Sequence, residues 1–340
     1  MRALVVRGAD LVALEDVPDP KLETGSVLVR PVMVGLCGTD IEIVDGRLDP
    51  AYVRFPIVIG HEWTGVVVDP GTAPDAPAVG SRVVVEGIVP CRHCPACLAG
   101  DTNRCATYDE FGFVRDGAAA ELVAAPVELV HELSASVSDE SATLVEPASV
   151  VLRALQRAAP RPGMNVLIVG DGTVGLLAAR LVQLWSPSRV TMLGARTEQQ
   201  GLAHAAGADH FWPGPTIEAH DAGRAFDLVI EAAGAPSAVA AALTAPTRGG
   251  TVVLLGLAGQ GVIAPLLIDD LVNDDVTIMG SFSYTATVWA QVVKLLNSGR
   301  LDLTTLVTHR YPLADWAAAL DNVRAPRGAR GKVVMTFDNP

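Results

Sequence analysis

Four of the five cysteines of the chain lie in one short segment, PCRHCPACLAGDTNRC, and thiolate sulfur is a strong zinc ligand. Cys91, Cys94 and Cys97 are separated by two residues each, and Cys105 follows eight positions later. Such spacings let successive sulfurs surround one tetrahedral ion, and four thiolates leave no open coordination position. The segment therefore predicts a closed structural zinc site, with His93 facing solvent. Reduced thiols in a loop and an iron–sulfur centre are the alternatives.

A second group of candidate ligands lies earlier in the chain. The stretch GLCGTDIEIVDG contains Cys37, Thr39 and Asp40, and IGHEWTGVV places His61 beside Glu62. A catalytic zinc takes three protein ligands and keeps one position open, and thiolate, imidazole and carboxylate all serve as ligands. Taken alone, His61 fits a hydrogen-bonded core histidine equally well, and Cys37 fits a small buried hydrophobe.

A glycine-rich loop follows the apolar run from Val166 to Val169. Gly170, Gly172 and Gly175 form the pattern G-x-G-x-x-G, and Thr173 and Val174 stand between the last two glycines. The first glycine permits a tight turn, the second lets the backbone approach a pyrophosphate, and the third lets a helix pack on the strand. The helix amino terminus then faces the phosphates. The loop predicts a dinucleotide site, although any α/β protein can contain such a connection.

The secondary structure that must position these groups changes near residue 148, from strands and turns to alternating strands and helices. Before it, short runs rich in Val and Leu, such as VLVRPVMVGL and SRVVVEGIV, predict β-strands bounded by Gly, Pro or Asp. After it, a helical stretch from Pro147 leads to strand-like runs such as RVTML and FDLVIEAAG, which alternate with Ala-rich helical segments. This rhythm predicts a doubly wound parallel sheet, and 340 residues suggest two domains.

Composition excludes several classes of partner. The formal net charge is -13, and the lysines are Lys21, Lys294 and Lys332 alone, so clustered basic side chains for nucleic acid or an anionic membrane are not expected. The amino terminus shows no secretory pattern, and the apolar stretch TVVLLGLAGQGVIAPLLI is broken by Gln, Pro and several Gly. We therefore expect a cytoplasmic protein whose thiols stay reduced.

Taken in order, GLCGTD, GHEWTGVV, PCRHCPACLAGDTNRC, DGAAAELV, LVEPASV, VGDGTVG and GKVVM resemble the successive motifs of the zinc-containing medium-chain alcohol and polyol dehydrogenases. The resemblance covers nearly the whole chain. It implies a β-rich GroES-like catalytic domain formed by residues 1–148 and 283–340, and a Rossmann domain formed by residues 149–282. It also implies an enzyme that transfers hydride between a nicotinamide cofactor and a secondary alcohol or ketone, assembled as a homodimer or homotetramer.

The same resemblance assigns the catalytic metal. It implies that Cys37 and His61 ligate a catalytic zinc and that Glu62 and Glu146 ligate that zinc or hold its water, which gives two zinc ions per chain with the cysteine-rich site. Glu146, in LVEPASV, is similar to the residue of the sorbitol and sugar dehydrogenase branch. By itself it is equally an acidic residue at a helix start, next to Pro147.

Proton transfer is also implied by resemblance. Thr39 would relay the proton between the substrate oxygen and the cofactor ribose, and Asp40 would orient His61 through its second ring nitrogen. The alternative for Thr39 is a residue that stabilises a turn. Many relatives carry histidine shortly after this motif as the exit of the relay, whereas this chain has Glu42 nearby, so the exit route stays open.

Cofactor choice is predicted at the end of the strand RVTML. An NAD enzyme usually has Asp or Glu about 20 residues after the glycine motif, and here that position falls at about Gly194. Arg196 is then available to pair with a 2′-phosphate, and Thr197 to donate a hydrogen bond. We therefore expect NADP(H) to be favoured over NAD(H). The alternative leaves Arg196 solvated and lets Glu198 bind the ribose.

The substrate is predicted only by class. The pair Glu62 and Glu146 resembles the polyol branch, which favours a polyol, sugar or cyclitol. The main rival within the family is a threonine-type or simple secondary-alcohol dehydrogenase that uses NAD. A zinc protein without catalysis would lack a ligand, and a zinc-free quinone reductase of the same superfamily would not carry both sets of metal ligands.

Overall fold

The structure, a computed structural model, describes residues 1–214 and 224–337 and divides into two compact units. The first unit comprises Met1–Glu146, Tyr284–Arg327 and Lys332–Pro340, and the second comprises Pro147–Ser283 and Gly328–Gly331. The first unit is therefore built from segments that are far apart in sequence. Within the described part of the chain, no helix combines the length and apolarity that a membrane crossing requires.

The strands are short and rich in Val, Leu and Ile, as β-propensity favours. In chain order they are β1 (Arg2–Gly8), β2 (Leu11–Asp16), β3 (Ser26–Leu36), β4 (Ile57–Val58), β5 (Glu62–Asp69), β6 (Arg82–Val85), β7 (Val123–Pro126), β8 (Val130–Glu132), β9 (Asn165–Val169), β10 (Arg189–Gly194), β11 (His210–Pro213), β12 (Phe226–Glu231), β13 (Pro246–Leu254), β14 (Thr277–Gly280), β15 (Val307–Pro312) and β16 (Lys332–Thr336).

The helices vary from one turn to about four turns. In chain order they are α1 (Gly38–Val44), α2 (Pro95–Leu98), α3 (Asp139–Thr143), α4 (Val145–Ala158), α5 (Thr173–Val182), α6 (Gln200–Ala206), α7 (Pro236–Thr244), α8 (Ile268–Asn273), α9 (Ala286–Asn297) and α10 (Trp316–Arg324). The helical stretch predicted from Pro147 begins earlier, at Val145, because proline needs no hydrogen-bond acceptor in the first turn of a helix.

In the first unit, a sheet runs in the order β15-β16-β3-β5-β6-β8, β7 also pairs with β3, and a smaller sheet has the order β2-β1-β4. Strands β3 and β5 are antiparallel, and their register sets Gly35 opposite Glu62. The end of β3 therefore lies beside the start of β5. This register brings Cys37, just after β3, close to His61, just before β5.

The second unit contains a parallel sheet in the order β11-β10-β9-β12-β13-β14. Numbered from β9, this is the 3-2-1-4-5-6 order of the doubly wound dinucleotide fold. Leu167, Val169, Leu193 and Val229 belong to the buried core on this sheet, as expected for parallel strands covered by helices. The predicted fold class is confirmed. The loop after β9, at the point where strand order reverses, carries the glycine motif.

Candidate functional site

The cysteine-rich segment gathers its sulfurs around one point. The Sγ atoms of Cys91, Cys94, Cys97 and Cys105 all lie within 4.8 Å of one another, and those of Cys91 and Cys97 are 4.0 Å apart. Four sulfurs that bind one zinc at about 2.3 Å in a tetrahedron are about 3.8 Å apart. The donor set and its spacing therefore fit a closed tetrathiolate zinc site. His93 is exposed, and its Nδ1 lies 2.7 Å from the carbonyl oxygen of Cys91.

Backbone amides surround these sulfurs. The N–H groups of Cys97 and Ala106 both lie 3.5 Å from the Cys94 sulfur and donate to it, and these two donors lower the pKa of the Cys94 thiol to about 6. The N–H of Cys91 donates to the Cys105 sulfur over 3.2 Å. Amide donors of this kind stabilise thiolates, which are the form of cysteine that binds a metal.

The second cluster comprises Cys37, His61 and Glu62. One ligand atom from each, a sulfur, a ring nitrogen and a carboxylate oxygen, lies within 4.8 Å of the other two, and both His61 and Glu62 are buried. A thiolate, an imidazole and a carboxylate are a suitable set for a zinc that keeps its fourth position open. The donor chemistry and the register of β3 and β5 together fit such a metal.

Asp40 supports this cluster from α1. Its Oδ2 accepts a 2.7 Å hydrogen bond from the N–H of Cys37, and its Oδ1 lies 3.6 Å from Nδ1 of His61. Burial lowers the pKa of His61, but Asp40 and Cys37 outweigh burial and raise that pKa well above 6.5. The Asp40 carboxylate thus faces Nδ1 of His61, and Nε2 is the ring nitrogen that is left for a metal.

Lys332 is a member of the site that sequence reasoning missed. The Lys332 ammonium, on β16, is 2% exposed, forms an ion pair with Glu62 and donates to the carbonyl oxygen of Leu36 over 3.1 Å. Burial lowers the pKa of Lys332, but the neighbouring anions, Glu62 first, raise it. The motif GKVVM contains this lysine, but only the pairing of β16 with β3 shows that it reaches Glu62.

Two further buried carboxylates lie near these residues. Glu146, in the first turn of α4, is 8% exposed but is not within 4.8 Å of all three atoms of the described cluster. Burial raises its pKa to about 8, and the charges of Glu62 and Glu110 act in the same direction. Glu110, which sequence reasoning did not single out, is 6% exposed, and burial raises its pKa to about 7.

The predicted relay residues lie on α1. The hydroxyl oxygen of Thr39 is 3.7 Å from the sulfur of Cys37, so this hydroxyl stands at the edge of the cluster. Glu42 is partly exposed on the same helix.

The glycine loop of the second unit has the geometry of a dinucleotide site. Gly170 has a φ of +121°, and a Cβ atom on Gly175 would collide with the carbonyl oxygen of Gly170, so only glycine fits at that point. Helix α5 begins directly after Gly172, and its first residues include Thr173 and Val174. The amide groups of this helix terminus provide donors for phosphate oxygens.

Gly194 stands where an NAD enzyme usually has Asp or Glu, and this position has no room for a side chain. A Cβ atom there would lie 2.7 Å from both Cβ of Asp171 and the ring of Phe211. Asp171, the residue between the first two motif glycines, accepts from the N–H of Arg196 over 3.1 Å and lies 3.5 Å from its guanidinium. Burial and the nearby Arg196 lower the pKa of Arg330. The charges of Arg196 and Asp171 both act on Arg330, which sequence reasoning missed. Thr197 is exposed at the start of a short turn.

Comparison with known proteins agrees with this geometry. Residues 23–135 match the family described as the alcohol dehydrogenase GroES-like domain, and residues 139–326 match the glucose dehydrogenase C-terminus. The chain is 30% identical to sorbitol dehydrogenase of Bacillus subtilis, over 94% of this chain and 93% of that protein. It is 33% identical to L-threonine 3-dehydrogenase of Streptomyces coelicolor, over 99% of both. A zinc-binding dehydrogenase from Sinorhizobium meliloti, solved with NADP bound, superposes with a TM-score of 0.92 at 25% identity, over 98% of each chain.

Proposed function

We propose that this chain, which belongs to the zinc-containing medium-chain alcohol and polyol dehydrogenase family, transfers hydride between NADP(H) and a secondary alcohol or ketone of a polyol, sugar or cyclitol. Membership of the family, predicted from the ordered motifs, is confirmed. The observation that carries the proposed reaction is the buried convergence of the Cys37 sulfur, a His61 ring nitrogen and a Glu62 carboxylate oxygen within 4.8 Å.

We further propose two zinc ions per chain, one held by Cys91, Cys94, Cys97 and Cys105, and one held by Cys37, His61 and Glu62, with Glu146 as a ligand or a partner of its water. When bound at the second site, zinc supplies Lewis acidity that lowers the pKa of an alcohol or polarises a carbonyl. The chain's own groups position that chemistry. Asp40 fixes the orientation of His61, as carboxylates commonly do for metal-binding imidazoles.

Side chains around the Cys37, His61 and Glu62 cluster carry the substrate proton and offset the buried charge. The hydroxyl of Thr39, beside the Cys37 sulfur, is the proposed first carrier of the substrate proton. Lys332 holds the Glu62 carboxylate at its buried position and offsets part of its charge. The low exposure of His61 and Glu62 excludes bulk water from the ligands, which strengthens the electrostatic effect of every charge in the pocket.

Cofactor preference for NADP(H) is supported by the surroundings of β10. Gly194 cannot carry the carboxylate that usually binds the ribose of NAD, and Arg196 and Arg330 place positive charge there. A 2′-phosphate is recognised well by guanidinium groups, because their N–H donors match its oxygens. The opposing observation is Asp171, which takes up part of the Arg196 charge.

A threonine-type dehydrogenase that uses NAD is the second candidate, since the Streptomyces coelicolor relative of that name is 33% identical. A panel of polyols, inositols, simple secondary alcohols and L-threonine, each assayed with NADP and with NAD, separates the two functions. Fast turnover of polyols or inositols with NADP supports the first. Selective turnover of L-threonine with NAD supports the second.

Metal analysis of matched cysteine variants tests the two sites. Cys37→Ser should keep one zinc per chain and its melting temperature but lose activity, because it removes a ligand of the open site. Cys97→Ser should lower the melting temperature first, because closed zinc sites contribute directly to folding free energy. Two zinc ions retained in Cys37→Ser, or an unchanged melting curve in Cys97→Ser, would contradict the division.

A further inference from the structure

Glu231 is a buried acid of the second unit that the proposed reaction does not use. It is the last residue of β12, its side chain is fully buried, and its Oε1 accepts 2.8 Å hydrogen bonds from the N–H groups of Ala233 and Gly234. Burial raises the pKa of this carboxyl, and the amide donors oppose burial without cancelling it. The side chain therefore folds back over the turn that follows its own strand.

This turn, residues 232–234, lies directly against the glycine motif. The N–H of Ala232 donates over 2.8 Å to the carbonyl oxygen of Val169, at the end of β9. A Cβ atom on Gly170 would lie 3.0 Å from the carbonyl carbon of Ala232 and 3.0 Å from the nitrogen of Ala233. The turn is therefore placed at the carboxyl ends of β9 and β12, where the strand order of the sheet reverses.

The loop after β13 packs on the other side of the same turn. The N–H of Leu255 donates to the carbonyl oxygen of Glu231 over 2.9 Å. A Cβ atom on Gly256 would collide with the nitrogen of Gly234 and would lie 2.7 Å from Oε2 of Glu231. Gly234 has a φ of +73°, and a Cβ atom on it would collide with the carbonyl oxygen of Leu257. Glycine at both positions lets the two loops touch, and the Glu231 carboxyl lies where they meet.

The strand order indicates which half of a dinucleotide this region would bind. A doubly wound sheet binds a dinucleotide with two mononucleotide-binding halves, in the crevice outside the carboxyl ends of its strands. The half formed by β9, β10 and β11 contains the glycine motif and Arg196, the proposed contact of the 2′-phosphate, so it takes the adenosine side. The half formed by β12, β13 and β14 then takes the nicotinamide side, and the loops around Glu231 follow the first two of these strands.

We propose that Glu231 is a positioning residue for the nicotinamide half of the cofactor. It fixes the turn at residues 232–234, and with it the loop after β13, in the conformation that the nicotinamide mononucleotide requires. Because these amides are held before the cofactor arrives, binding loses less conformational entropy. The inference rests on the proposed function, since it requires a nicotinamide cofactor, but it applies equally to NADP and NAD, whose difference lies on the adenosine side.

A fragment of the cofactor separates a local effect from a general one. Calorimetric titration gives the dissociation constants of NADPH, NADH and 2′,5′-ADP, the last of which carries the adenosine side alone. Glu231→Ala should weaken the binding of NADPH and of NADH by about tenfold or more, because the freed turn must be ordered when the cofactor binds. Its affinity for 2′,5′-ADP should equal that of the wild-type protein.

Two further variants serve as controls. Glu231→Gln keeps an oxygen that can accept from the N–H groups of Ala233 and Gly234, so it should restore most of the affinity for NADPH. Asp227→Ala removes a carboxylate near the opposite end of the same strand, where it accepts from the N–H of Asn165 over 2.8 Å. This variant should lose stability and keep its affinity for NADPH. If Glu231→Ala does not fold, Glu231→Asp, whose side chain is one methylene shorter, takes its place.

The outcomes separate this inference from the function beneath it. An equal loss of affinity for NADPH and 2′,5′-ADP, an equal loss in Asp227→Ala, or unchanged NADPH binding in Glu231→Ala overturns the role of Glu231 and leaves the proposed function in place. A wild-type protein that binds neither NADPH nor NADH overturns both.

Discussion

At the scale of single residues, Arg196 is the side chain that we propose to favour NADP(H) over NAD(H). Its N–H and its guanidinium both contact Asp171, and the side chain also donates to the carbonyl oxygen of Gly328 over 3.4 Å. These contacts restrict the rotamers of the guanidinium, so less entropy is lost when a phosphate binds.

Arg196→Ala is therefore expected to weaken transition-state stabilisation with NADP, calculated from the ratio of kcat/KM values, by about 1.5–3 kcal/mol, the scale of a hydrogen bond to a charged group. The kcat/KM for NAD should change little. Steady-state kinetics with both cofactors measures the effect, and Arg189→Ala, at an exposed arginine where β10 begins, is the matched control. Equal losses with both cofactors, or a wild-type preference for NAD, would contradict the assignment.

The Glu110 carboxyl also predicts how stability depends on pH. Burial raises its pKa from 4.5 to about 7, so the folded state favours the protonated form. The stability associated with this group is fully present below pH 4.5 and is lost as the pH rises through about 7. Glu110→Gln, which cannot ionise, should remove this loss.

Urea unfolding of both proteins between pH 4.5 and 8.5, without substrate, measures that difference. The free energy of unfolding of Glu110→Gln, relative to wild type, should rise across this range by up to about 3 kcal/mol. A difference that stays constant with pH would show that Glu110 titrates as an ordinary exposed carboxyl.

Among the elements, the turn from β9 to α5 depends most strictly on glycine. Gly175→Ala would force Cβ against the carbonyl oxygen of Gly170, so we expect a loss of about 1–3 kcal/mol in stability and weaker cofactor binding. Gly201→Ala, in α6, meets no atom within 4 Å and should be neutral or stabilising by up to about 1 kcal/mol, because alanine has the higher helix propensity. Thermal melts and fluorescence titration with NADPH compare the two variants, and a Gly175→Ala protein as stable as wild type would contradict the packing.

The sequence predicts features whose residues are close together along the chain, and it misses contacts between residues that are far apart. The cysteine cluster and the glycine loop were predictable because their spacing is local and the chemistry requires it. Lys332 was missed because it meets Glu62 only through strand pairing across most of the chain. Arg330 was missed because its hydrogen bonds with Gln199, close to Arg196, join residues that are 131 positions apart. Glu110 has no motif around it; its burial, which no local pattern predicts, is what makes it unusual.

At the scale of the whole molecule, an exposed apolar stretch adjoins the last strand of the parallel sheet. Strand β14 pairs with β13 on one side only within the described sheet, and five large apolar side chains from the preceding segment are each at least 66% exposed: Leu257, Ile263, Leu267, Ile268 and Val272. Unpaired strand edges and exposed apolar side chains of this kind are typical of association surfaces.

We expect light scattering to give at least a dimer at micromolar concentration, and Ile263→Asp to shift the protein toward the monomer. Leu11→Asp, at an apolar residue of β2 that is 63% exposed, is the control and should leave the mass unchanged. A monomeric wild-type protein would rule out this surface as a subunit interface.

The position of β16 between β15 and β3 has a consequence for the order in which a newly synthesised chain folds. The second unit consists mainly of one contiguous stretch, 147–283, whereas the first needs β16, and the Lys332 contact with Leu36 spans 296 residues. Until β16 leaves the ribosome, β3 lacks this neighbouring strand and Glu62 lacks the ammonium group of Lys332. Residues 1–146, although translated first, should therefore complete their folding last. Binding of a metal by the Cys37, His61 and Glu62 cluster should then be a late event. Limited proteolysis of ribosome-bound chains stalled before β16 should cleave residues 1–146 readily and spare 147–283; equal resistance of both would refute this order.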